Sequence, residues 1–438
     1  MRTADFLKQI FEWLNQHTEY AVLRNFEGLP YHNNSRDIDI AIEEKEWNKI
    51  RTQLVDVIQQ CGWKIVTYLK SDRLQTLVCG TVRTDNTVDL VQLDFFYHTS
   101  VFGLVLIENK EILKHRIFNG EIYHADKSYE FLDKYMYDCA VGAAYPEKYK
   151  HTRQCAENED AVKDSVNQVF GMDSLIQCDK ASKKDILKAV LKWNFKRYGL
   201  GVMMNILRFE YHHVKNYLCS HTGFSVGFTG PDGSGKTTVI DLLIENLGDV
   251  FRKAHVYYHF RPALFGNLGE VAHSAGVKKE VDRNYSQPHR GGKTGKVSSM
   301  VRLLYYSLDY IVGYWLKVKS VTRITRLVIF DRYYTDIICD SRRSRIYLNY
   351  KFLYGFGKLF IPSLDYNILL TAGTDTILAR KRELDEEGIR LINKKIDYLA
   401  NKKGYKKILN ERTPEEAVTE ILNYILEKQH NKNLRRLK

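Results

Sequence analysis

Paired cysteines, long apolar runs, proline-rich tracts and internal repeats are all missing from this chain of 438 residues. The seven cysteines (Cys61, Cys79, Cys139, Cys155, Cys178, Cys219 and Cys339) are odd in number and include no Cys-x-x-Cys pair. That excludes a disulfide framework, argues against structural zinc and fits a reducing compartment. Only 7 residues are proline while 44% are hydrophobic, so most of the chain is expected to fold. The most aromatic stretch, Leu303 to Leu316, contains Asp309 and sits between Arg302 and Lys317. It is too short and too polar to span a bilayer. The opening residues, with Asp5 and Lys8 among them, read as an amphipathic helix and not as a secretory signal. Together these absences lead to the expectation of a soluble, cytoplasmic protein of two or three domains.

What the chain does have is charge, unevenly spread. The net charge is +13, yet residues 1–220 carry 29 Lys/Arg against 30 Asp/Glu, leaving 37 against 23 in the remainder. Anionic substrates account for such an excess, and nucleic acid also would.

The basic half holds the most informative motif. Thr229 to Thr238 read T-G-P-D-G-S-G-K-T-T, after the apolar run Phe224 to Phe228 and before the helical stretch Val239 to Leu247. A strand, a glycine-rich loop and a helix in that order make a phosphate-binding loop, Gly230-x4-Gly235-Lys236-Thr237. Gly230, Gly233 and Gly235 let successive N–H groups of the segment from Asp232 to Thr238, Ser234 included, point at phosphate oxygens, and the helix dipole adds to that attraction. Lys236 is placed for the β- and γ-phosphates and Thr237 for Mg²⁺. A glycine-rich turn of no function is the bland reading, and the flanking strand and helix argue against it. The ligand expected is ATP with Mg²⁺.

Three blocks emerge along the chain. Residues 1–130 mix helical patterns (Phe6 to Gln16, Glu44 to Gln60) with strand-like runs at Tyr20 to Leu23, Ile38 to Ile42, Gln75 to Val82 and Val88 to Phe96. Residues 131–220 read as almost wholly helical, with Asp185 to Tyr198 and Val202 to Leu218 as the long segments. Residues 221–430 alternate short apolar strands (Phe224 to Phe228, Leu327 to Phe330, Tyr366 to Leu370) with helices, which predicts an α/β domain with a parallel sheet covered on both faces. Residues 431–438 read as a frayed basic tail.

Downstream of the loop, Leu327-Val328-Ile329-Phe330-Asp331-Arg332 ends a buried strand on a carboxylate, where α/β sheets bind ligands. Asp331 is suited to hold Mg²⁺ and Arg332 to face an anion; an ordinary strand-end Asp-Arg pair is the alternative. A third element, Thr376 to Arg390, clusters Arg380, Arg382 and Arg390 after a late strand. Such a cluster can spread the charge of a transferring phosphoryl group, or simply be a solvated helix.

These three motifs in this order, over about 210 residues, resemble the thymidylate kinase family of P-loop nucleoside monophosphate kinases. The resemblance rests on G-P-D-G-S-G-K-T-T (230–238), F-D-R-Y-Y (330–334), the arginine segment, and the ending I-L-N-E-R-T-P-E-E-A-V-T-E-I (408–421). It implies metal and acceptor-phosphate roles for Asp331 and Arg332, and a lid bearing Arg380, Arg382 and Arg390. The acceptor segment departs from the family: Tyr257-Tyr258-His259-Phe260-Arg261-Pro262 replaces its Arg-Glu-Pro-Gly. Residues 266–296, with Lys278, Lys279, Arg283, His289, Arg290, Lys293 and Lys296, look like an inserted acceptor loop, and Arg342, Arg343 and Arg345 add more guanidinium groups. The chain is most similar to the thymidylate-kinase-like proteins of bacterial surface-polysaccharide synthesis.

In the N-terminal block, Ser35-Arg36-Asp37-Ile38-Asp39-Ile40-Ala41-Ile42 puts Asp37 and Asp39 on one strand face, and Asp94 belongs to the polar set of a second strand. Carboxylates so placed can share divalent metal ions, and an acidic edge strand is the bland alternative. The layout resembles the nucleotidyltransferase superfamily, with residues 131–218 as its helical partner. The Gly-Ser pair that usually precedes the acidic strand is missing, and Arg24 lies where it would be.

The leading expectation is an ATP-dependent phosphotransferase acting on a nucleoside monophosphate or another small anionic or sugar-like acceptor, fused to a nucleotidyltransferase-like domain, with a homodimer allowed. A nucleic-acid end-repair enzyme and an ATP-binding assembly factor without catalysis are the alternatives.

Overall fold

Apolar residues at helical spacing start the chain. Phe6, Leu7, Ile10, Phe11 and Leu14 form one buried face of the helix Thr3–His17, and Trp47, Ile50, Leu54, Val55 and Ile58 do the same for the helix Glu44–Gln60. The two faces pack against a seven-stranded sheet and share a core with Trp63, Phe95 and Leu93. The computed structural model of the chain describes residues 3–85, 87–219, 222–247, 255–266, 295–323 and 326–437. Contacts divide it into two units, one of residues 1–83, 89–220 and 426–438, the other of 84–88 and 221–425. The block 1–130 and the helical block 131–220 thus group together and not as separate parts. The expected loop from 266 to 296 lies outside the described residues except at its ends, Gly266, Gly295 and Lys296.

In the first unit the strands are β1 (Tyr20–Val22), β2 (Asp37–Ile42), β3 (Lys64–Lys70), β4 (Leu74–Val82), β5 (Val88–Phe96), β6 (His98–Val101), β7 (Leu104–Glu108), β8 (Ile117–Phe118) and β9 (Tyr123–His124). The main sheet runs β3-β4-β5-β2-β1-β9-β8. β6 and β7 make a separate hairpin, closed by Phe102 and Gly103, both at positive φ as a tight two-residue turn demands. The central pair β2 and β5 is parallel, with Asp39 opposite Asp94. Six helices between Lys127 and Cys219 build a second core around Phe131, Tyr135 and Met136.

The second unit carries β10 (Phe224–Thr229), β11 (His255–His259), β12 (Leu327–Asp331), β13 (Tyr366–Thr371) and β14 (Tyr405–Leu409), all parallel, in the order β11-β12-β10-β13-β14. Every residue of β10, β12 and β13 is buried. Because neighbouring side chains point to opposite faces, both faces of the sheet are covered, and the expected parallel α/β sheet is present.

The frayed basic tail is not what the structure shows. Residues 414–437 form one helix, and its last turns belong to the first unit. The reason lies in β3, an edge strand with a register irregularity between Ile65 and Thr67. The Ile65 N–H donates to His430 Nδ1 at 3.0 Å, and Asn433 Nδ2 donates to the Ile65 and Val66 carbonyls at 3.1 and 2.9 Å. Side chains of the last helix thus satisfy an edge that would otherwise be open to pairing, and Leu437 is buried in the first core. Asn433→Ala should strip both carbonyls of their donor and cost about 2 kcal/mol, read as a lower urea midpoint for the first unit.

Candidate functional site

β10 delivers the chain into the loop at Gly230 with no room for a side chain: a Cβ there would collide with the Leu370 carbonyl of β13. Gly233 and Gly235 adopt φ of +87° and +85°, the left-handed region glycine enters without penalty. A Cβ on Gly235 would meet the Asn410 amide, whose Nδ2 donates to the Ser234 carbonyl at 2.9 Å from just beyond β14. The loop is therefore gripped by backbone and side-chain groups at the ends of β13 and β14.

Lys236 opens the helix Lys236–Leu247 and curls back over the loop. Its Nζ donates to the carbonyls of Gly230 and Pro231, both at 2.8 Å, and only 6% of the residue is exposed. Burial, with the Arg332 charge nearby, lowers its ammonium pKa to about 7. Ser234 Oγ is buried without a hydrogen-bond partner. Thr237 and Thr238 are exposed on the first helical turn.

Asp331 ends β12 in register with Phe228 of β10 and His259 of β11. Its Oδ2 accepts from the Tyr257 hydroxyl at 3.2 Å and lies 3.9 Å from His259 Nε2. Its Oδ1 is buried and has no hydrogen-bond partner. A lone buried carboxylate oxygen at a strand end is the donor a hard cation takes.

Arg332 follows with a φ of +76°, a strained value for a side-chain-bearing residue. The anions it faces belong to its own chain. The guanidinium donates to Asp336 Oδ1 at 2.6 Å, to Asp232 of the loop, and to the Gly230 carbonyl at 3.4 Å. Burial opposes its charge, but Asp336 and Asp232 outweigh burial and raise its pKa further. Arg343 takes the second oxygen of Asp232 and lies 3.6 Å from Asp340. A chain of alternating charge, buried at Arg332, Asp336 and Asp340 and half-buried at Asp232 and Arg343, thus runs from the loop to the strand end.

The arginine segment splits. Arg380, at the end of the helix Thr374–Arg380, donates to the Asn410 carbonyl at 2.9 Å beside the loop. Arg382 is exposed in the connection to the helix Glu386–Ala400, and Arg390, on that helix, pairs with Glu386 at 2.5 Å. In the altered segment 257–262, Arg261 is spent on structure: it bonds the fully buried Asp309 at 2.8 Å, whose other oxygen accepts the N–H groups of Leu264 and Phe265 at 2.7 and 3.1 Å.

The first unit brings its three expected acids together. One carboxylate oxygen each of Asp37, Asp39 and Asp94 lies within 4.8 Å of the others. Arg24 bridges Asp39 at 2.6 Å and Asp133 at 2.7 Å. Asp94 Oδ2 accepts from Gln92 Nε2 at 2.9 Å, while its Oδ1 is buried without a partner. Burial pushes the Asp39 carboxyl up to about 7, against the pull of Arg24; burial also raises Asp94.

Sequence reasoning gave no role to Asn410, Asp336, Asp340 and Asp133. Asn410 was within reach as a polar residue at a strand's carboxyl end; the others declare themselves only through buried pairing.

No protein-family model and no curated protein matches this sequence. Among solved structures, a thymidylate kinase from Ehrlichia chaffeensis matches at 17% identity and a TM-score of 0.33, the match covering 46% of this chain and 98% of that one. Among the described residues, no helix is long and apolar enough to cross a membrane.

Arg24→Met should leave Asp39 and Asp133 without their cation and cost about 3 kcal/mol, seen in urea denaturation as a loss confined to the first unit.

Proposed function

We propose that the second unit is an ATP-dependent phosphotransferase of the thymidylate-kinase type, with a nucleoside monophosphate or another small anionic or sugar-like molecule as acceptor. The observation that carries the reading is the loop from Gly230 to Lys236, set at the carboxyl ends of a parallel sheet beside the unpartnered Asp331 oxygen. Loop N–H groups and Lys236 would cradle the phosphates, with Lys236 exchanging two loop carbonyls for phosphate oxygens. The acceptor oxygen forms a bond to the γ-phosphorus as the bond to the bridging oxygen breaks, and that electron pair leaves with ADP; a phosphate acceptor attacks as its anion, whereas a sugar hydroxyl would release its proton to water. The chain's part is positioning and charge balance. Mg²⁺ held by Thr237 and Asp331 would neutralise phosphate charge. Arg380 and Arg382 lie on the segment that would close over the site. Arg332, pinned between Asp232 and Asp336, orients the loop.

Lys236→Ala should abolish ATP turnover with every acceptor in a screen using labelled ATP with thymidine monophosphate, other nucleoside monophosphates, sugars, lipid-linked saccharides and RNA ends. Unchanged turnover would sink the assignment, and RNA ends as best acceptor would move it to end repair. A pH dependence follows from the Lys236 environment. Its pKa of about 7 in the free protein means the amine is neutral above that pH. A bound polyphosphate favours the charged form, so binding takes up a proton. ATP affinity should therefore fall as pH rises from 7 to 9, by at most about tenfold per unit, and calorimetry should show the effect flattened in Lys236→Met.

A second reading concerns the first unit, supported by the Asp94 oxygen without a partner among three converging carboxylates. It is a nucleotidyltransferase-like site, catalytic or binding only, in which Asp37, Asp39 and Asp94 would hold a divalent cation that bridges a triphosphate. Arg24 supplies fixed positive charge beside it. Mn²⁺ should raise the thermal midpoint of the protein, and Asp94→Asn should remove most of that rise while leaving ATP binding at the loop intact.

A further inference from the structure

The helix Gly201–Cys219 of the first unit has two faces of opposite character. Val202 and His212 are buried, the Phe209 ring meets Phe102 edge-on at 5.9 Å, and Asn216 Nδ2 donates to the Lys70 carbonyl at 2.9 Å. On the other side Met204, Leu207, Tyr211, Val214 and Leu218 are 51% to 66% exposed, and Leu200, in the turn just before the helix, is 83% exposed. Their spacing alternates between four and three residues, which is the seam of a helix pair. Written as heptads, Met204, Tyr211 and Leu218 occupy a, and Leu207 and Val214 occupy d. Residues 202, 209 and 216 then fall at f, opposite the seam. The helix is thus anchored by one stripe and presents the other outward. With Met203 and Tyr217 at its margin, the seam exposes on the order of 800 Å² of mainly apolar surface. That is more than a monomer ordinarily leaves in one patch, and about one partner's share of a standard interface.

We infer that this seam pairs with the same seam of a second copy of the chain, as two parallel helices about a twofold axis. Charge selects the orientation. Glu210 falls at g, and Arg208 and Lys215 at e. A parallel pair sets Glu210 against Lys215 of the second copy, twice by symmetry. An antiparallel pair sets e against e, so Glu210 loses Lys215 as its partner and Lys215 faces Arg208, whose charge is already taken up by Glu44 of its own chain. The seam spans fewer than three heptads, so the dimer dissociates at micromolar concentrations. Only one short charged face accompanies it, with one acid and two bases, which fits a protein partner better than an anionic lipid surface.

The test is sedimentation velocity of the full chain over a micromolar dilution series. A monomer–dimer equilibrium is expected. Leu207→Asp should raise the dissociation constant about tenfold or more, and Glu210→Lys should raise it a few-fold. Combining Glu210→Lys with Lys215→Glu should restore the wild-type value, which a generally damaged helix would not do. With Cys155 and Cys219 changed to Ser, Leu207→Cys should form an intermolecular disulfide, because d faces d only in the parallel arrangement. A monomer at every concentration overturns the proposal. So does a dimer indifferent to Leu207→Asp, or a monomer that sediments with phosphatidylglycerol vesicles.

Discussion

The close approach of the loop to β13 is the constraint on which the second unit's site depends. The Leu370 carbonyl occupies the volume where a side chain on residue 230 would be. Only glycine lets the chain pass, and passing there forces the tight turn that Gly233 and Gly235 complete at positive φ. The turn in turn aims the start of the Lys236–Leu247 helix at the sheet's carboxyl edge. Lys236 is then buried among loop carbonyls, and a charge in that place is costly enough to bring its pKa near neutrality. The free loop is thus closed on its own lysine.

Around this loop the ion pairs act as a scaffold. Asp232 is gripped by Arg332 and Arg343, Arg332 also by Asp336, and Arg343 stands beside Asp340. Buried pairs of this kind contribute little net stability, because desolvation offsets most of the attraction. Removing one member, however, strands its partners in low dielectric. The network therefore fixes geometry: it holds Arg332 in a strained backbone conformation and ties the loop to the end of β12.

The first unit solves an analogous problem with fewer charges. Three carboxylates converge where β2 and β5 run side by side, and Arg24 offsets part of their repulsion through Asp39 while tying in Asp133 from the helix Lys127–Val141. Asp94 keeps one oxygen without a partner. At the far edge of the same sheet the C-terminal helix supplies His430 and Asn433 to an irregular strand. An acidic centre and a sealed edge are thus held within one sheet.

Much of this was legible in residue order. Local signals specified the glycine-rich strand–loop–helix turn, the parallel sheet of the second unit, the helices Glu44–Gln60 and Gly201–Cys219, and the strands bearing Asp37, Asp39 and Asp94, because periodicity, glycine placement and strand-end polarity act over a few residues. The hairpin of β6 and β7 and the fate of residues 431–437 escaped, since both depend on what surrounds them. A basic, polar C-terminus reads as a tail until an edge strand with irregular register needs its donors. In the same way Arg332 looked free to meet a ligand until Asp232 and Asp336, 100 residues upstream and 4 downstream, were brought to its two ends. The sequence by itself determined which chemistry is present and on which elements. Which charges are spent on one another, and which oxygens at Asp94 and Asp331 remain without a partner, was decided only by tertiary packing, because desolvation and pairing depend on distances that sequence separation does not encode.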